Sequence, residues 1–311
     1  MASQSQVEAK DRWTRSSVMA AIEPYLFIAP FFIVFGIFGI AALAYTGWVS
    51  LHDWNPIAID NPFVGLDNYT RLMEDPRFWN SVWNTFTIWL LSTIPQLALA
   101  LFLAHVLNEA LLRWKTGFRV TMLLPNITSV VAVGIIFTSM FGRDFGLINY
   151  FLGLVGIEPI AWEAGRLSSH VAVATMVNWR WTGYNTLILL AAMQAIPYVL
   201  YESAQLDGAG RWRQFLNVTV PSIRNTIVFV VIVSTIGGMQ IFTEPLIFGG
   251  QNGVTGGASR QYQTVALYLY EQGFRNFEFG YAATIAWVLF GIILIFSVVN
   301  LLFTRRIASS D

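Results

Sequence analysis

Six long apolar runs leave this chain few ways to fold. They cover residues 25–51, 82–107, 120–141, 170–196, 225–248 and 279–303. Each reaches the roughly 20 residues that a helix needs to cross a bilayer. Charged residues make up 12% of the 311, where a soluble domain carries about 25%. The chain is therefore expected to be an all-α integral membrane protein with six transmembrane helices. Pro95 interrupts the second run, which a spanning helix tolerates when a neighbour satisfies the freed carbonyl. Ala42-Leu43-Ala44 resembles a signal-peptidase site, but the apolar stretch is long for a signal peptide and continues to Trp48. The first run is read as an uncleaved helix.

Six spans put both termini on one side, and the basic residues choose the side. Lys10, Arg12 and Arg15 precede the first run, and Arg113, Lys115 and Arg119 lie between the second and third. Arg211, Arg213 and Arg224 follow the fourth, and Arg305 and Arg306 end the sixth. The opposite loops hold fewer: Arg71, Arg77, Arg143, Arg166, Arg260 and Arg275. The positive-inside rule places the first set, and both termini, in the cytoplasm. Residues 249–263 are glycine-rich and are read as a flexible outer loop.

Composition also excludes chemistry. Net charge is zero, so nothing pulls the chain towards nucleic acid. There are no cysteines, and His52, His105 and His170 have no ligand spacing, so no metal site is expected. Neither Lys10 nor Lys115 follows the glycines of a phosphate-binding loop, so this chain has no visible means of binding ATP by that route.

Between the fourth and fifth runs lies a polar interruption, residues 196–224. Glu202-Ser203-Ala204 is followed after three residues by Gly208, and after nine more by Val218, Thr219, Val220 and Pro221. Pro197 suits the first turn of a short helix and Asp207-Gly208 its stop. Arg211 to Phe215 then begins a second amphipathic helix that Pro221 limits. These residues alone also fit two helices lying on a membrane surface, anchored by Trp212 and the arginines. The spacing resembles the EAA motif of the permease subunits of binding-protein-dependent ABC importers: E-A-A, three residues, G, nine residues, I-x-L-P. Ser203, Val218 and Val220 depart from it, while the glutamate, glycine and proline are in register. Phe63-Val64-Gly65-Leu66-Asp67-Asn68-Tyr69 resembles the F-x-G-L-x-N-Y segment of sugar-importer permeases. Leu124, Pro125 and Ser129 fall in a second family stretch, L-P-x-x-x-S.

The resemblance implies a type I ABC importer permease fold. Residues 1–24 would form a cytoplasmic segment, 25–79 the first helix and an outer loop, 80–303 a five-helix core, and 304–311 a cytoplasmic tail. It also implies a cytoplasmic loop that docks on a separate ATPase subunit, with Glu202 meeting a basic group and Gly208 permitting the turn. Ser203, Ala204, Leu206, Asp207, Trp212 and Pro221 complete that candidate surface. The implied partners are a second, similar permease, two ATPase subunits using ATP and Mg, an extracytoplasmic sugar-binding protein and the lipid bilayer. Nucleic acid is not among them. The chain itself would hold no cofactor and would be a transporter subunit of the cell membrane.

For the substrate path, Asn178, Trp179, Arg180, Trp181, Tyr184 and Asn185 stand inside the fourth run. An arginine at membrane depth is costly unless paired, which marks it as functional. The alternative is an aromatic belt with Arg180 reaching towards headgroups. Gln240, Thr243 and Glu244 are spaced to share one helical face near the end of the fifth run. Glu244 could equally be a solvated helix end. Asn126 and Gln96 are weaker candidates, since either can bond a neighbouring helix. The implied cargo is a di- or oligosaccharide, with a glycerol-phosphate importer as the alternative. An ion-coupled carrier would need carboxylates at membrane depth, and Glu244 is the nearest to one. A membrane-embedded enzyme would need a catalytic cluster that the sequence lacks.

Overall fold

The computed structural model describes residues 15–108 and 114–308. Lys10, Arg12 and Arg113, which contribute to the orienting charge, lie outside these residues, as do most of the N-terminal segment and residues 309–311. The regular structure of the described residues is helical, and their β structure is limited to one bridge between His52 and Phe63. The chain divides into two packing units between Val49 and Ser50.

The first unit contains α1 (Arg15–Phe35), a π turn (Gly36–Ile40) and most of α2 (Ala41–Ser50). None of the most apolar window of Glu23–Ser50 is buried within the chain. A helix apolar all round suits a membrane span.

The second unit begins with α3 (Asp67–Glu74), α4 (Pro76–Asn108), α5 (Lys115–Ile127), α6 (Val130–Met140), α7 (Leu147–Leu154) and α8 (Arg166–Gln194). It continues with α9 (Tyr198–Leu206), α10 (Arg211–Gln214), a π turn (Phe215–Thr219), α11 (Val220–Ser222) and α12 (Arg224–Met239). After α13 (Thr243–Phe248) and α14 (Val265–Tyr270) it ends in α15 (Phe279–Ala308). The central pair is α4 and α8. On α4, Ile88, Ser92, Gln96, Ala100, Ala104 and Leu107 recur three or four residues apart and are buried. Small residues on that stripe let α8 come close, as in membrane helix pairs generally. Pro95 leaves α4 unbroken. The carbonyl it frees, that of Leu91, accepts a hydrogen bond from Asn178 Nδ2 at 3.4 Å.

Two of the predicted runs are not single helices. The third divides into α5 and α6, bent by 90°. Pro125 removes a donor from the last turn of α5, and Thr128 turns back to bond the Leu124 carbonyl through both N and Oγ1. Thr128 and Ser129 then run extended, with ψ of 144° and 123°. The fifth run stops at Met239 and resumes as α13. Pro245 has no N–H for the Ile241 carbonyl, which instead accepts from Thr264 Oγ1 at 2.8 Å. Among the described residues three helices, Glu23–Ser50, Pro76–Asn108 and Phe279–Leu302, are long and apolar enough to cross a membrane on their own. Three bent pairs also pass that test when each is taken together.

The glycine-rich loop is packed tightly, contrary to the flexible reading. A Cβ on Gly253 would lie 1.8 Å from the Leu246 carbonyl oxygen, and one on Gly256 2.1 Å from the Gln263 nitrogen. Arg260 and the buried Glu271 pair at 2.5 Å, and Gln263 bonds both. Burial pushes the Glu271 carboxyl up, but hydrogen bonds from Arg260 and Gln263 hold it below its ordinary value. The Arg260 carbonyl accepts from Asn80 and Asn84 of α4. Nearby, Asp75 accepts hydrogen bonds from the hydroxyls of Tyr268 and Tyr281, the latter at 2.7 Å.

Candidate translocation site

The helical period divides the Asn178-Trp179-Arg180-Trp181 cluster between two faces of α8. Val177, Arg180, Trp181 and Tyr184 face a cavity of about 370 Å³. Asn178 and Trp179 face a separate hollow bounded by Met122 and Pro125 of α5. Trp179 packs 5.6 Å from Phe137, and Asn178 serves the Leu91 carbonyl. Asn126 is half-buried in the last turn of α5 and lines neither space.

The interruption after α12 supplies the opposite wall. Gly237 and Gly238 precede it, and Gln240, Ile241 and Phe242 join α12 to α13 across it. Gln240, Thr243 and Glu244 therefore do not share a helical face, yet all three reach the cavity. Glu244 is 7% exposed and so is not a solvated helix end. Its Oε1 lies 3.1 Å from Arg180 NH1, which ties α13 to α8. Arg180 also sits 5.6 Å from the Trp181 ring centre, and Trp181 meets Tyr184 edge to face. Asn185 donates to Ser234 Oγ of α12 at 3.2 Å.

Sequence reasoning missed Thr93 and Ser234 and undervalued Gln96. All three line the cavity. Their signal was available in part: Thr93 and Gln96 are polar residues three apart in an apolar run, on the face that α4 buries.

The polar interruption folds as two short helices. Pro197 caps α9 from just outside, not from its first turn. At the other end Gly208 adopts φ 76°, Gly208 N bonds Gln205 O, and Ala209 N bonds Ala204 O. That pair of bonds is the Schellman stop, which a glycine completes without strain. Glu202, Ser203, Asp207 and Pro221 are exposed, and Ala204 is half-buried. Leu206 is 90% and Trp212 65% exposed, the latter stacked on Phe215. Tyr201 bonds Thr219 at 2.9 Å and fixes α9 against the π turn. Pro221 does not end the second helix. The π turn runs into it and the chain bends by 70° only at Ile223.

Residues 72–309 match the family described as the binding-protein-dependent transport system inner membrane component. The chain belongs to that family. It is the permease component of an ABC transporter, a membrane subunit whose ATPase is a separate component. Among curated relatives, the lactose transport system permease LacF of Rhizobium radiobacter is 35% identical over 86% of this chain and 89% of its own length. The arabinooligosaccharides transport system permease AraP of Bacillus subtilis is 35% identical over 89% and 87%. The trehalose/maltose permease MalF of Thermococcus litoralis is 31% identical over 89% and 92%. In structure, the permease fold matches a chain of a bacterial ABC transporter involved in alginate import. The TM-score is 0.77 at 21% identity, over 93% of this chain and 99% of that one. This family is where the EAA resemblance pointed.

Proposed function

We propose that this permease forms half of a pore that carries a di- or oligosaccharide into the cytoplasm. The observation that carries the reading is the cavity between α4, α8 and the interrupted α12–α13. There Trp181 and Tyr184 supply aromatic rings, and Gln96, Asn185 and Gln240 supply amides. Flat aromatic surfaces flanked by amides suit a sugar, whose ring carries both C–H faces and hydroxyls. The names of the relatives, covering lactose, arabinooligosaccharides and trehalose or maltose, support the same cargo class.

In this reading the six spans are Glu23–Ser50, α4, α5 with α6, α8, α12 and α15, and the short helices α9 to α11 lie outside the bilayer. The six spans then place both termini and the loop from Tyr198 to Ser222 in the cytoplasm. The exposed Glu202, Leu206 and Trp212 would meet an ATPase subunit, which binds ATP and Mg. The complete importer would add a second, similar permease, a second ATPase subunit and an extracytoplasmic sugar-binding protein.

Uptake by the reconstituted importer tests the path. Trp181→Ala should lower sugar uptake about 3- to 10-fold, the range expected when a ring contact of about 0.5–1.5 kcal/mol is lost. Trp179→Ala, on the other face of α8, should change uptake far less at equal assembly. Equal effects of the two variants would reject the cavity as the path.

A further inference from the structure

Among the residues lining the cavity, only Arg180 and Glu244 carry charge, and they are paired with each other. The side chain of Arg180 is 23% exposed and that of Glu244 9%, so the carboxylate is buried and the guanidinium is partly withdrawn from water. Arg180 Nε is buried without a hydrogen-bond partner, which makes Glu244 the group that compensates the guanidinium. The rest of the polar lining is neutral: Thr93, Gln96, Asn185, Ser234, Gln240 and Thr243. Amides and hydroxyls match sugar hydroxyls. An anionic cargo leaving water needs an uncompensated cation or a convergent set of donors. Here it would meet a cation already neutralised and a carboxylate that repels it.

We propose that Glu244 is a specificity-determining residue: by neutralising Arg180 it fits this side of the path to uncharged sugars and turns away anionic ones. Uronate oligosaccharides and phosphorylated glycerol belong to the excluded class. The inference rests on the cavity being the sugar path. It goes further by assigning the charge class of the cargo to one side chain. Removing the carboxylate while keeping the arginine would leave an unpaired, partly buried cation facing the cavity, which is how an anion site is made.

The test uses the whole importer in lipid nanodiscs, without its binding protein, so that receptor selectivity does not enter. Equilibrium binding is measured at fixed ionic strength for maltotriose, arabinotriose, lactose, trigalacturonate and glycerol 3-phosphate. Wild type should bind at least one neutral sugar about tenfold more tightly than either anion. Glu244→Gln should raise affinity for an anion about tenfold and shift the anion-to-neutral affinity ratio towards the anion. Arg180→Gln combined with Glu244→Gln removes both charges and should restore the wild-type preference. If the single variant does not assemble, the double variant decides alone, and loss of its neutral preference overturns the proposal. Equal affinity of wild type for both classes, or no gain for anions in Glu244→Gln, also overturns it and leaves the sugar path standing. No binding of any neutral or anionic probe by wild type rejects the path itself.

Discussion

Pro95 has no N–H, so the Leu91 carbonyl one turn earlier loses its helical partner, and Asn178 supplies one from α8. Asn178→Leu should strand that carbonyl inside the membrane. A buried acceptor left unpaired costs about 1–3 kcal/mol. A lower thermal midpoint of the purified subunit should report the loss. On a Pro95→Ala background the carbonyl regains its helical bond, and Asn178→Leu should then cost far less. Equal losses on both backgrounds would mean that the bond contributes nothing. Gly183 is a second close point: a Cβ there would sit 1.8 Å from the Met122 carbonyl oxygen of α5. Gly183→Ala should therefore push α5 and α8 apart and lower the midpoint by an amount matching about 1–3 kcal/mol of overpacking. The sequence showed that Asn178, Trp179, Arg180 and Trp181 were unusual at membrane depth. It did not show which of them faced which neighbour. That depends on where α4, α5 and α13 lie around α8, and no local spacing encodes it.

At the level of elements, α9 and its stop were legible. A glutamate, a glycine and a proline in fixed register announced the loop, and Asp207-Gly208 announced the turn. The helical stretch beyond the turn was less so. Pro221 read as a terminator because an α-helix cannot donate from it, but the π turn before it has already shifted the bonding pattern. The stop gives a sharp prediction. No atom lies within 4 Å of a Cβ built on Gly208, so substitution there meets no clash and is opposed only by φ 76°. Gly208→Asn, which tolerates the left-handed region, should keep uptake near wild type. Gly208→Val should unlink ATP hydrolysis from uptake in reconstituted vesicles. Wild-type coupling in Gly208→Val would show that the turn is dispensable. The two interrupted runs were not foreseen. Pro125 and Pro245 lie inside stretches whose composition alone fits one helix each. Thr128 bonds the carbonyl four residues back and Thr264 one 23 residues away, and hydropathy records neither bond.

For the molecule as a whole, Asp75 joins the chain before α4 to α14 and α15 through two tyrosine hydroxyls. Burial raises its carboxyl, but those hydrogen bonds, with backbone N–H groups of Arg77 and Phe78, leave it below the ordinary 3.8. A depressed folded-state value means that the stabilisation is complete above the ordinary value and is lost as pH falls through the lower one. Stability of the wild type should thus fall below pH 3.8 more than that of Asp75→Asn, and a pH series of thermal midpoints checks this. Orientation has its own test: a cysteine at Ser203 should react only from the cytoplasm and one at Asn61 only from outside. The packed glycines between Gly249 and Gly257 also bear on how the protein can be handled. An epitope or reporter inserted there would have to displace the backbone of Leu246 and Gln263, and should abolish expression. The turn around Ile59, which is wholly exposed, is the place to graft one.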